Sequence, residues 1–277
     1  MSTSNLFAQP LRITQQATPF KLSGKVKRLR STRNRRIQRN LTTVGSLLDS
    51  VHNIPLRSIL LGQCLDGLPF LIKLGDPELG AILVGCDAGG GKTHQLQVMA
   101  DAAIRINSPH DLQISVLSLN PQEWESFQKN STSKKYIKSI FAWYDIRAEQ
   151  TIKDLTELAE ARRQNRVHGP DVLFLLDDLN YVEDMSYEAQ VNLHWLLEYG
   201  AQAGVWVVGT IEAGLSNSLR YWINTFRTRI IGKILSSEDA KILAMRPDSI
   251  ADHLNPGKFR VWMGNKWLNY RLVPLGG

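Results

Sequence analysis

The chain has 277 residues, 43% of them apolar, with 33 Lys or Arg against 26 Asp or Glu. That size accommodates one large α/β core with an appendage and excludes several full domains. No apolar run approaches the roughly 18 residues that span a bilayer, the start lacks the apolar core of a secretion signal, and two cysteines, Cys64 and Cys86, make no disulfide framework, so a reducing, cytoplasmic setting without a membrane anchor is expected.

Residues 1–40 carry ten Lys or Arg and no Asp or Glu, whereas the other 237 carry 23 bases and 26 acids. The net charge of +7 therefore belongs to the N-terminal end. This segment is polar and lacks an apolar period, so it reads as a flexible basic arm (1–40) ahead of one folded domain (41–277). Lys25, Lys27, Arg28, Arg30, Arg33, Arg35, Arg36 and Arg39 crowd its second half. Such a run binds phosphate backbones without sequence preference; the same composition also fits a solvated tail or an organelle transit peptide.

From Leu41 to His52 the apolar spacing predicts an amphipathic helix. Strands are expected at Ser58–Leu61 and Pro69–Leu74, turning at Asp66-Gly67. Next, the apolar run Ala81-Ile82-Leu83-Val84 enters Gly85-Cys86-Asp87-Ala88-Gly89-Gly90-Gly91-Lys92-Thr93-His94, and a helix follows to about Asn107. Strand, glycine-rich turn and helix in that order form the context of a phosphate-binding loop. Several backbone N–H groups must converge on one polyphosphate, which favours residues without a Cβ, and the helix N-terminus adds partial positive charge. All ten residues from Gly85 to His94 are therefore candidate ATP contacts, with Lys92 reaching the β- and γ-phosphates and Thr93 holding Mg²⁺. One departure stands out: Cys86 occupies the place of the first glycine in G-x-x-x-x-G-K-[ST].

A strand is expected at Gln113–Leu119 and a charged amphipathic helix at Glu149–Arg166. Val172-Leu173-Phe174-Leu175-Leu176-Asp177-Asp178 reads as a central parallel strand buried on both faces and ending in two acids. Ligands bind at the carboxyl ends of strands in open α/β sheets, so Asp177 is the candidate for Mg²⁺ and Asp178 for polarising the attacking water. A helix over Ser186–Gln202, strands at Gly204–Thr210 and Arg229–Leu235, and a small hairpin of Lys258–Met263 and Trp267–Val273 around Gly264-Asn265 complete the chain. Trp195 and Tyr199 are spaced to share a core-facing stripe, and Trp206 is expected in the core. The alternation of strands and helices predicts a doubly wound, mostly parallel sheet.

The order of motifs resembles the motor domain of the FtsK/SpoIIIE family, within the FtsK–HerA class of DNA-pumping ATPases. The likeness spans roughly residues 55–263 and rests on five stretches: the Leu60–Pro69 segment, AILVGCDAGGGKT, Leu119-Asn120-Pro121-Gln122, the Glu160-Ala161-Arg162-Arg163 helix, and Gln202–Thr210 followed by Thr228-Arg229-Ile230 and Ser236-Ser237-Glu238-Asp239. It implies a RecA-like P-loop domain with ATP and Mg²⁺ at subunit boundaries of a ring, the hexamer of the family, around double-stranded DNA. It also implies a trans-acting arginine, with Arg229 as the aligned candidate beside Arg227 and Arg220, and separate protein partners for a chain of this length. Against the family pattern, Asp178 stands for Glu, Ile211 for the Gln that ends the sensor strand, and Glu212 for a basic residue. These departures leave open an ATP-binding regulator that hydrolyses weakly and assembles on DNA or with a partner, and a nucleotide-dependent enzyme of a small substrate.

Overall fold

The computed structural model describes residues 42–76, 79–245, 254–263 and 266–276. The basic arm and the expected turn at Gly264-Asn265 lie outside these residues. Helix α1 (Val44–Asp49) is shorter than its apolar spacing predicts, opened by a Thr43/Ser46 capping box and burying Val44, Leu47 and Leu48. An antiparallel hairpin follows, β1 (Ser58–Cys64) and β2 (Pro69–Lys73). Strand β3 (Ile82–Cys86) then runs into α2 (Lys92–Ile106) and β4 (Leu112–Ser118). The short α3 (Glu125–Lys129) precedes β5 (Ile137–Ala142) and the long α4 (Ile146–Arg163).

The second half contains β6 (Asp171–Asp177), α5 (Tyr187–Tyr199), β7 (Val205–Glu212), α6 (Arg220–Thr225), β8 (Thr228–Ile231), α7 (Ser237–Ala244), and the strands β9 (Lys258–Trp262) and β10 (Trp267–Arg271). All ten strands form one sheet in the order β2-β1-β10-β9-β8-β3-β7-β6-β4-β5. From β8 to β5 every pairing is parallel; from β8 to β2 every pairing is antiparallel. The C-terminal strands pair antiparallel, as expected of a hairpin, and join the main sheet. They splice the N-terminal hairpin onto the parallel body.

Central strands β3, β6 and β7 are buried along almost their whole length, as their continuous apolar runs require. One face, carrying Leu83, Phe174, Leu176, Val207 and Ile211, packs under α4 to α7. The other, carrying Val84, Cys86, Leu175, Val208 and Phe259, packs against α2. Trp206 is in this core as expected, 2% exposed. Trp195 is only partly buried and Tyr199 is exposed; both rings lie beneath the Arg163 guanidinium, at 5.5 and 5.0 Å. The other arginine of that motif, Arg162, donates to the carbonyls of Ala203 and Pro170 and staples the start of β6 to the turn before β7.

Other elements also depart from the sequence reading. Strand β5 was not foreseen; it is an edge strand whose partly open residues, Lys138 among them, blur its apolar period. Helix α7, capped by Ser236, was read only as a motif. The strand expected over Arg229–Leu235 stops at Ile231, because the next residues leave the sheet to flank the glycine-rich loop.

Candidate nucleotide-binding site

The loop from Cys86 to Gly91 joins β3 to α2 at the C-terminal end of the parallel strands. Gly91, with φ 104°, begins the helix in a left-handed conformation, and Gly89 has φ 70°. Both values suit glycine and disfavour any side chain. The segment after β8 braces the loop: Asp87 N–H donates to the Lys233 carbonyl at 2.8 Å, and Leu235 N–H donates to Asp87 Oδ2 at 2.9 Å. On the opposite side Gly257 N–H donates to the Gly90 carbonyl at 3.3 Å.

Cys86 is accommodated, not displaced. Its backbone remains in β3, its side chain is fully buried, and burial pushes the thiol pKa up to about 11 against the lowering effect of Lys92. Room for it comes from two glycines: a Cβ on Gly90 would meet Cys86 Sγ at 2.6 Å, and one on Gly232 would meet Cys86 Cβ at 2.8 Å. The bulk gained at the turn's first position is offset by the missing side chain at its fifth.

Asp177 ends β6 on the α2 side of the sheet. Thr93 Oγ1 donates to its Oδ1 at 3.0 Å, Ser118 Oγ donates to its Oδ2 at 3.1 Å, and Thr210 Oγ1 reaches Oδ1 at 3.4 Å. The Trp143 indole N–H holds its backbone carbonyl at 2.9 Å. Burial raises the Asp177 pKa above the usual carboxylate range; the Thr93, Ser118, Trp124 and Thr210 contacts oppose that rise. A carboxylate and a threonine hydroxyl sharing a hydrogen bond at the start of a helix form an all-oxygen donor set suited to Mg²⁺. Thr93 and Asp177 are the residues that would hold it.

Asp178 follows with φ 74° and ψ 100°, a strained conformation for a residue with a Cβ. Its N–H donates to Thr210 Oγ1 at 2.8 Å, while its Oδ1 is buried without a hydrogen-bond partner. Burial raises its pKa, opposed first by Lys92, with Asp177 and Glu212 adding to the rise. The structure thus gathers the Gly85–His94 stretch, Asp177 and Asp178 at one end of the sheet. Thr210 and Ser118, missed by the sequence reading, tie the two acids to the neighbouring strands. Their signal was a hydroxyl at the end of an otherwise apolar strand.

Arg229 does not join them, and its reading as a catalytic arginine is corrected. It is 5% exposed and spends its guanidinium on the carbonyls of Phe226 at 3.2 Å, Leu243 at 3.0 Å and Ile223, with Met245 Sδ at 2.8 Å. Burial brings its pKa down to about 10. Such a side chain locks the ends of α6 and α7 inside its own subunit and is not presented to another. Arg220 and Arg227 are exposed. Ile211 is fully buried on the face away from Asp177.

No protein-family model matches this sequence, and no curated protein matches it. Solved structures do. The Thermomonospora curvata EccC ATPases 2 and 3, in complex with a signal sequence peptide, superpose with a TM-score of 0.63 at 13% identity over 79% of this chain and 41% of that one. EssC ATPases 2 and 3 from Geobacillus thermodenitrificans give 0.63 at 16% identity, over 82% and 49%. The pCW3 conjugation coupling protein TcpA with ATPγS gives 0.58 at 14%, over 82% and 69%. This chain spans less than half the length of the first two. Among the described residues no helix is long and apolar enough to cross a membrane. The ten-stranded, largely parallel sheet with its flanking helices is the fold of RecA-like P-loop ATPase domains.

Proposed function

We propose that the chain is an ATP-driven translocase of the FtsK–HerA type that acts on double-stranded DNA. One observation carries the reading: the Thr93 hydroxyl, at the start of the glycine-rich loop's helix, touches the Asp177 carboxylate at 3.0 Å. Two motifs 84 residues apart thereby meet, which supports a site that would handle a nucleotide's phosphates and Mg²⁺ together. Gly85 to Gly91 would cradle the phosphates by backbone N–H groups, and Lys92 would neutralise their charge. Mg²⁺, held by Thr93 and Asp177, would supply electrostatic stabilisation of the transferring phosphoryl group. A ring, hexameric by the family's pattern, would place a neighbour's arginine at this site; exposed Arg220 and Arg227 are the remaining candidates. Duplex DNA is favoured as cargo by the acid-free arm, whose charge suits a phosphate backbone.

The test is steady-state ATP turnover and molecular mass of the purified chain, with and without linear duplex DNA. A motor shows DNA-stimulated turnover, abolished by Lys92→Ala, from an ATP-dependent oligomer. Stimulation by a polypeptide in place of DNA would reassign the cargo. A second reading, an ATP-binding regulator with weak hydrolysis, is favoured by the strained Asp178 and by Ile211 facing away from the site. Tight ATP binding with negligible turnover under every condition would select it.

A further inference from the structure

Strand alternation decides which side chains at the end of β7 can reach the nucleotide, since successive residues point to opposite faces. Thr210 faces the α2 side, where its hydroxyl meets Asp177 and the Asp178 N–H. Ile211 faces the other side, inside the core beneath α4 to α7. Glu212 is the last residue of β7 and keeps an extended backbone, with φ −75° and ψ 133°, so it returns to the face of Thr210. Its Cα is registered with Cys86, the residue from which the phosphate loop departs. It is only partly buried, and its side chain has no ion pair or hydrogen bond among the described residues.

Asp178 is poorly suited to the role the family pattern gives to a longer acid. Its side chain is one methylene shorter than glutamate, its backbone is strained, and Oδ1 is shut away without a partner. Glu212 has the extra methylene, lies on the next strand on the same face as Asp177, and is open to solvent that a water-handling base needs.

We propose that Glu212 is the carboxylate that orients and deprotonates the water attacking ATP. In that step the water oxygen bonds to the γ-phosphorus as the bond from phosphorus to the β,γ-bridging oxygen breaks. ADP leaves with the electron pair, and the water's proton passes to Glu212 and from there to the released phosphate. The proposal rests on the ATPase reading above, and the test separates the two.

Glu212→Gln, Glu212→Asp and Asp178→Asn are compared with the unaltered full chain for ATP turnover and for affinity toward a fluorescent ATP analogue, folding being checked by circular dichroism. Glu212→Gln is expected to lower kcat by about 100-fold or more, the usual contribution of a general base. Analogue affinity should stay within about twofold, as expected of a group acting only in the chemical step. Glu212→Asp should retain part of the rate, and Asp178→Asn should cost less than Glu212→Gln. If Glu212→Gln turns over at the unaltered rate while Asp178→Asn is inactive, the proposal is overturned and the ATPase reading stands. Loss of analogue affinity in step with turnover would also overturn it, by making Glu212 a binding residue. An unaltered chain that fails to bind the analogue overturns both.

Discussion

Gly90→Ala probes how this loop tolerates Cys86. The backbone at Gly90 is not left-handed, so the substitution carries no conformational penalty of the kind expected at Gly89 or Gly91. Its cost is steric. The new Cβ would lie 2.6 Å from Cys86 Sγ, 3.0 Å from Cys86 Cβ and 3.0 Å from the Asp87 carbonyl oxygen. Cys86 is fully buried in the same core cluster as Phe259, so its sulfur has little open space to move into. Overpacking of this sort costs about 1–3 kcal/mol. Cys86→Gly removes two of the three close contacts and leaves the carbonyl. In that background Gly90→Ala should therefore cost substantially less, with a coupling of about 1–2 kcal/mol, inside the range for residues in contact. Urea denaturation of the two single variants and the double variant measures the coupling. Affinity for a fluorescent ATP analogue should fall with Gly90→Ala alone and recover in the double variant, since Gly90 belongs to the loop that would cradle the phosphates. Additive stabilities, with a coupling below about 0.5 kcal/mol, would show that Cys86 and Gly90 do not share space, and the account of how the loop absorbs a cysteine would be wrong.

Asp177→Asn should stabilise the metal-free chain at neutral pH. Burial raises the folded-state pKa of this acid, so its ionised form is a liability that disappears as pH falls through the folded value towards the unfolded one. The thermal midpoint of the variant should exceed that of the unaltered chain at pH 7, converge with it on acidification, and fall below it when MgATP is added, because only the unaltered chain gains from the metal. A variant less stable at neutral pH without metal would contradict this. Arg229→Met should destabilise the fold by about 3 kcal/mol or more, since it strands three buried carbonyls. Normal stability with turnover alone lost would restore Arg229 to catalysis. Removing residues 2–40 should flatten the salt dependence of DNA binding by up to about 7 in the log–log slope, given the eight bases between residues 25 and 39. Analogue affinity should not change. An unaltered slope would take the arm out of DNA binding.

The parallel body was legible because a strand buried on both faces must be apolar throughout. Val172–Leu176 and Gly204–Val208 announce themselves by that pattern, and Asp177 marks where the first of them opens onto polar surroundings. Edge strand β5 had no such constraint and was hidden. The run after Arg229 misled for a related reason: Ile234 is buried, but against helices and not within the sheet. Pairing of β1 with β10 joins Gln63 to Arg271, and nothing local specifies a partner so distant in sequence. At the site, residue types were readable while orientations were not. Arg229 looks the same in sequence whether it points outward or inward; only the packed α6 and α7 show that it points inward. Thr210 and Glu212 become distinct from Ile211 only once the register of β7 against β3 is known.

The glycine-rich loop leaves β3 between two parallel neighbours, yet it also touches the antiparallel part of the sheet, through Gly257 just ahead of β9. Its acidic partner comes from the parallel body: Asp177 of β6 accepts from Thr93 at the start of α2. Its supports come largely from the antiparallel strands. A Cβ on Gly91 would meet Leu272 at 3.0 Å and Phe259 at 3.8 Å, and Gln95 of α2 accepts from the buried Tyr270 hydroxyl at 2.8 Å while donating to the Leu61 carbonyl at 2.9 Å. His94 adds a bond to the Val273 carbonyl at 3.0 Å. A buried amide satisfied on both its atoms is costly to disturb, so α2 cannot shift relative to β1 and β10 without breaking these contacts. Any displacement driven by phosphates at the loop would therefore be resisted by the antiparallel strands. The four added strands are thus not an ornament on a P-loop core. They form the anvil against which its loop is held.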